Sequence, residues 1–133
     1  MAPKDIGRQP ALSGISQVSM RALDLDRAVA FYRDVLGLEL LSQHEGMAFF
    51  LARSLRIMLA VPPSAEFDHP GSVLYFDSRD IDADCAALRS LGVEILREPF
   101  IAHAEDTHQF SLAFFRDSEG NTLALSQWRR VIG

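Results

Sequence analysis

The chain repeats itself. Residues 16–41, SQVSMRALDLDRAVAFYRDVLGLELL, align with residues 72–96, SVLYFDSRDIDADCAALRSLGVEIL. Ser16 falls on Ser72, Asp24 on Asp80, Asp26 on Asp82, Ala30 on Ala86 and Arg33 on Arg89. After a one-residue gap, Gly37 falls on Gly92, Glu39 on Glu94 and Leu41 on Leu96. The second halves follow. Residues 47–61, MAFFLARSLRIMLAV, lie over residues 112–126, LAFFRDSEGNTLALS, with Ala48-Phe49-Phe50 on Ala113-Phe114-Phe115. Self-similarity of this kind constrains a fold strongly, because both copies must adopt the same local structure and bury their apolar faces together. The expected layout is a tail over 1–13, one domain over 14–128 and a short tail over 129–133. Within the domain, module one covers 14–61, module two covers 71–128, and the connector 62–70, PPSAEFDHP, holds three prolines.

Each copy reads as the same succession of elements. A strand comes first, over 15–21 or 72–78. An aspartate then stands where a helix N-cap is needed, Asp24 or Asp26 in one module and Asp80 or Asp82 in the other. Ala28, Val29, Phe31, Tyr32, Val35 and Leu36, and later Ala83, Ala86, Ala87, Leu88 and Leu91, recur close to helical spacing. Gly37 and Gly92 sit where a left-handed residue would end the helix. Three strands follow, near 38–44, 47–52 and 56–61, then 93–97, 110–116 and 122–127. The order is βαβββ twice. Two separate cores do not fit so short a chain. The expected fold is therefore α+β: two tandem βαβββ modules forming a curved, mostly antiparallel eight-stranded sheet with helices on its convex face. Residues 98–109, EPFIAHAEDTHQ, read as a long loop, and loops on a rigid scaffold often carry ligand contacts.

Composition narrows the function classes. The 133 residues suit a single domain, and a hydrophobic share of 48% suffices for a core. No apolar run approaches the roughly 18 residues of a membrane span. MAPKDIGRQPALSG lacks the apolar stretch of a secretory signal, and the single cysteine, Cys85, makes no internal disulfide. The expected location is the cytoplasm. A formal net charge of −5 argues against nucleic-acid binding and mildly favours neutral or cationic small ligands.

The stretches DLDRAVAFYRDVLGLEL (24–40) and FFRDSEGNTLAL (114–125), within a duplicated βαβββ pattern, resemble the vicinal oxygen chelate superfamily. That group includes glyoxalases, extradiol dioxygenases and bleomycin-binding proteins. The resemblance covers residues 14–128. It implies a curved sheet whose concave face can hold a divalent metal, with His and Glu ligands from the first and last strand of each module. Carried onto this chain, the family motif and the repeat offsets put the four ligand positions at Gln17, Leu59, Val73 and Ala124. One amide and three hydrocarbons do not hold Mg²⁺, Zn²⁺ or Fe²⁺. The expectation is a member without the usual metal site and with no cofactor.

Alternation along the strands then assigns the cup. Ile15, Gln17, Ser19, Arg21, Tyr75, Asp77, Thr122, Ser126 and Trp128 share the concave face, with Ile57 and Val61 placed there in phase with Leu59. Val18, Met20, Leu74, Phe76, Leu123 and Leu125 form the opposite, apolar parity. His108, leading into a strand, could lean over the cup. Gln17, Ser19, Tyr75, Asp77, His108, Ser126 and Trp128 are therefore the candidate ligand contacts. Two functions are open. One is a metal-independent protein that binds a small organic molecule in the cup. The other is a glyoxalase-like lyase, isomerase or dioxygenase with a rearranged site, its catalytic candidates being His108, Glu105 and Tyr75. A non-standard metal cluster from His103, Glu105, Asp106 and His108 in the 98–109 segment matches no standard ligand spacing. His44 and His69 read as turn residues, and Phe49-Phe50 and Phe114-Phe115 as core. The resemblance also implies a homodimer.

Overall fold

The computed structural model describes residues 9–12, 14–68 and 71–131. The element order is β1 (Gln17–Arg21), α1 (Leu25–Ala30), β2 (Glu39–His44), β3 (Met47–Ala52), β4 (Leu55–Ala60), β5 (Leu74–Asp77), α2 (Ile81–Ser90), β6 (Ile95–Ala104), β7 (His108–Arg116) and β8 (Thr122–Arg130). α1 runs on into a single wider turn, Phe31–Val35, and a short 3-10 turn, Ala65–Phe67, lies in the connector. The duplicated βαβββ order is present, and the fold is α+β.

Local chemistry explains the helix limits. Asp24 caps α1 by accepting from Arg27 N at 3.1 Å, and Asp80 caps α2 by accepting from Ala83 N at 3.1 Å. Of the paired aspartates in each module, the first is the cap, because its backbone is extended while its oxygen faces the third N–H along. Gly37 and Gly92 close the two helical segments with φ of 73° and 83°, a conformation that costs glycine little.

Within the described residues the eight strands form two four-stranded sheets, β1-β4-β3-β2 and β5-β8-β7-β6. In each, the first strand runs parallel to the last, and the remaining pairs are antiparallel. No ladder joins one sheet to the other among the described residues, so the sheet is mostly antiparallel but not hydrogen-bonded as one. The modules are united by side chains instead. Met20, Ala28, Val29, Tyr32, Phe50, Ile57 and Leu59 of module one share one buried cluster with Ile81, Cys85, Leu88, Phe115, Leu123 and Leu125 of module two. The apolar parity read from β1, β5 and β8 thus faces the helices.

Three expectations change. The segment 98–109 is not a loop: β6 extends to Ala104 and β7 begins at His108, giving a long hairpin. Its pairing is broken by register shifts between Ile95 and Arg97, Arg97 and Phe100, and Ile101 and His103. Those irregularities and Pro99 hide the period of two that marks a strand. Second, β8 continues through Arg129 and Arg130, which the sequence assigned to a tail. Third, the aromatic pairs split. Phe50 and Phe115 are core, whereas Phe49 and Phe114 lie on the opposite, open face.

Candidate functional site

The open faces of the two sheets carry the candidate site. In sheet one, the parallel register sets Gln17 beside Arg56, Ser19 beside Met58 and Arg21 beside Ala60. Paired residues share a face, so β4 contributes Arg56, Met58 and Ala60. Leu59 is fully buried with Ile57 on the helix side. The assignment of Leu59 and Ile57 to the cup is therefore corrected. Phe50 pairs with Ile57 and Phe115 with Leu123, so the offset between modules is 65 before the hairpin turn and 66 after it. One extra residue in the β7–β8 turn flips every subsequent assignment by one face. The residue corresponding to Ala124 is Met58, and Gln17 Nε2 lies 3.8 Å from its sulfur.

With that offset, the four ligand positions that the family resemblance implies fall on Gln17, Met58, Val73 and Ala124. An amide, a thioether and two hydrocarbons do not fit a hard divalent ion. Among the described residues, no group of three or more His, Cys, Asp or Glu side chains is placed to hold a metal.

A cavity of about 420 Å³ opens on sheet one, lined chiefly by Ser19, Arg21, Met47, Met58, Val61 and Pro62. That volume suits a small organic molecule. Two methionines give it a soft, adaptable wall. Gly71, at the end of the connector, closes one side so tightly that a Cβ there would meet the Met20 sulfur at 2.9 Å. Arg21 is the cavity's cation. Its Nη1 donates to Asp68 Oδ1 at 2.9 Å, while its Nε is buried with no hydrogen-bond partner among the described residues. Of the candidate ligand contacts, Ser19 alone lines this cavity; Val61, assigned to the cup in phase with Leu59, also lines it.

Sheet two presents a different surface. Tyr75, Ala124 and Phe114 lie in one cross-strand row. The rings of Tyr75 and Phe114 meet edge to face, 6.2 Å apart, and Ala124 between them is 0% exposed. Phe100 stacks on Phe114 at 6.2 Å, and the Arg97 guanidinium sits 3.5 Å from the Phe100 ring centre. Ser126 is buried, its hydroxyl 3.4 Å from the Phe76 carbonyl. Trp128 lies 4.7 Å from Phe110 and remains 55% exposed. This half is an aromatic platform filled by its own side chains.

The three catalytic candidates are not brought together: Glu105 N donates to the His108 carbonyl at 2.7 Å, but Tyr75 stands apart from both. Tyr75 pairs with Ala124 and His108 with Arg130, six positions apart on β8 and so roughly 20 Å. His108 Nδ1 is 2.8 Å from Thr107 Oγ1, and His103 Nε2 is 3.3 Å from Glu105 Oε2, local contacts at the exposed hairpin end. Asp77 faces Arg53 at 3.5 Å, both largely exposed. His69 lies outside the described residues.

The turn in RDSEGN has another task. Asp117 Oδ1 accepts from Glu119 N and Asn121 N, both at 2.8 Å, and its Oδ2 accepts from the buried Tyr32 hydroxyl at 2.7 Å. Burial and the Asp117 charge together push the Tyr32 phenol well above its ordinary range. Asn121 Nδ2 donates to the Arg21 carbonyl at 2.8 Å. Glu119, with its side chain 0% exposed, accepts from Leu23 N at 2.7 Å, Asp24 N at 2.8 Å and Arg27 Nε at 2.7 Å. Burial alone would raise its pKa, but the Arg27 and backbone donors outweigh that and hold it down at about 2. The module-two turn therefore clamps the β1–α1 junction of module one, beside the cavity residue Arg21.

Comparisons with known proteins agree with this architecture. The integron cassette protein from the mobile metagenome of V. cholerae is 21% identical, with a TM-score of 0.71 over 90% of this chain and 98% of its own. Lactoylglutathione lyase from Agrobacterium tumefaciens is 22% identical, with a TM-score of 0.65 over 89% of this chain and 96% of its own. TnmS3, an antibiotic binding protein from Streptomyces sp. CB03234, is 25% identical, with a TM-score of 0.69 over 90% of this chain and 98% of its own. The family model described as Glyoxalase/Bleomycin resistance protein/Dioxygenase superfamily matches residues 14–125. A match over most of the chain, on a duplicated βαβββ fold, means that this protein belongs to the glyoxalase/bleomycin resistance protein/dioxygenase superfamily.

Proposed function

We propose that this protein binds a small organic molecule in the open-face cavity of module one, without the divalent metal of its catalytic relatives. The observation that carries the reading is the cavity of about 420 Å³ walled by Met47, Met58, Val61 and Pro62. It is concave, mostly apolar and has few polar groups, which is the make-up of ligand pockets. The four ligand positions, Gln17, Met58, Val73 and Ala124, support the metal-independent part. The antibiotic-binding neighbour supports a binding role rather than turnover.

The test uses N-phenylnaphthylamine, a neutral dye that brightens in apolar surroundings. The expected result is saturable binding, unchanged by a chelator and lost in Ala60→Trp, whose indole would fill the cavity. Dye binding that ignores this substitution would place the ligand elsewhere. One tightly held divalent ion per chain on metal analysis would also overturn the reading.

The aromatic platform of module two supports a second expectation, a homodimer, because Tyr75 and Trp128, on the same face of β5 and β8, are each more than half exposed. Light scattering at micromolar concentration is expected to give a dimer mass, falling to a monomer in Trp128→Glu. A monomeric parent protein would end that expectation.

A further inference from the structure

A second cavity, of about 390 Å³, opens where the end of the β3–β4 hairpin meets β5. Ala52 and Leu55 of module one and Leu74 and Phe76 of module two, all half-buried, give it apolar walls. It shares no lining residue with the cavity at Met47 and Met58. Its charged lining residues are Arg53, from module one, and Asp77, from module two. The two stand 3.5 Å apart and are 83% and 76% exposed. An ion pair so open to water stabilises little, so both groups are free to exchange it for a bound molecule. Arg53 also stands out in the backbone. It lies in the two-residue turn between β3 and β4 with φ of 56°, the one non-glycine residue of positive φ among the described residues. Glycine or asparagine takes that conformation at lower cost. The turn does not call for an arginine; what the residue adds is a guanidinium beside the cavity.

We propose that this second cavity binds a free α-amino acid with a large apolar side chain. The carboxylate pairs with Arg53, the ammonium with Asp77, and the hydrocarbon lies on Leu55, Leu74 and Phe76. The charges select the class. A lone anion gains Arg53 but meets Asp77 as a like charge, and a lone cation meets Arg53 in the same way. A neutral hydrocarbon fills the walls and leaves both charges unused. An α-amino acid carries both signs on one carbon, which matches two protein charges 3.5 Å apart. The volume suits a molecule of that size. This site is separate from the cavity proposed above and does not depend on it.

The experiment uses the full chain with isotope-labelled leucine methyl groups. Leu55 and Leu74 line the cavity, so their NMR signals report its occupancy. The probes are L-phenylalanine, phenethylamine and 3-phenylpropionate. They share an aromatic body; the amine lacks the carboxylate and the acid lacks the ammonium. The expected result is that L-phenylalanine shifts both signals saturably and binds about tenfold or more tightly than either single-charge probe. In Asp77→Asn its advantage over 3-phenylpropionate disappears. In Arg53→Gly, a substitution that suits the positive φ, its advantage over phenethylamine disappears. Equal affinity of the three probes for the parent protein overturns the amino-acid class. Failure of L-phenylalanine to shift either leucine overturns the site itself. Neither result touches the dye test of the first cavity, which reads different residues. The comparison of probes needs no variant, so a folding defect in one does not shield the proposal.

Discussion

Glu119→Ala is expected to cost about 3–5 kcal/mol of stability, measured as a lower urea midpoint with little change in slope. The side chain is 0% exposed and meets two backbone N–H groups, of Leu23 and Asp24, as well as Arg27 and Ser118. The amides decide the magnitude. Both lose their acceptor at once when the carboxylate is gone, whereas Arg27 is about half exposed and regains its hydration. Arg27→Ala should therefore cost clearly less. An equal loss would show that the ion pair, not the clamp on the β1–α1 junction, carries the effect. Acid supplies a second readout. A carboxyl lowered from 4.5 to about 2 on folding stabilises the native state fully above the unfolded value and loses that stabilisation as the pH falls towards the folded one. The parent protein should lose roughly 3 kcal/mol between about pH 5 and pH 2 through this group. Glu119→Ala should show a correspondingly flatter acid limb.

Phe50→Ala and Phe115→Ala should each cost about 3–5 kcal/mol, and each should leave one cooperative unfolding transition. The two phenylalanines are repeat mates and both are buried to within 1%. They belong to a single cluster in which Tyr32 packs 5.9 Å from Phe50 and residues of both modules take part. A cavity in either module therefore weakens the whole core. Two separated transitions in either variant would mean that the modules are stabilised independently, against the shared cluster and the Glu119 clamp.

Family features and fold features part company at the signature turn. RDSEGN identifies the superfamily in the sequence, yet its polar residues do not reach the cavity. Asp117, Glu119 and Asn121 spend their hydrogen bonds on one another and on Tyr32, Arg27 and the backbone at Arg21, Leu23 and Asp24, the latter groups some 85 to 100 residues away in sequence. The motif fixes the end of β1 that carries Arg21.

The sequence by itself determined what depends on near neighbours. The repeat set the element order, a pair of aspartates marked each helix start, Gly37 and Gly92 ended the helices, and alternation gave the faces of β1, β5 and β8. These rest on side chains within a turn or two of each other. The position of Leu59 was not legible, because the repeat offset changes by one across a hairpin and one residue inverts a strand's faces. Pro99 and the bulges disguised β6 as a loop. The cavity was hidden for a similar reason: Arg21, Met47, Met58 and Pro62 come from three strands that are neighbours in the sheet, β1, β4 and β3, and from the connector, with no local spacing in common. Only the tertiary structure brings them together, since the register that joins β1 to β4 and the packing of the connector on Met20 are decided by contacts far apart in the chain.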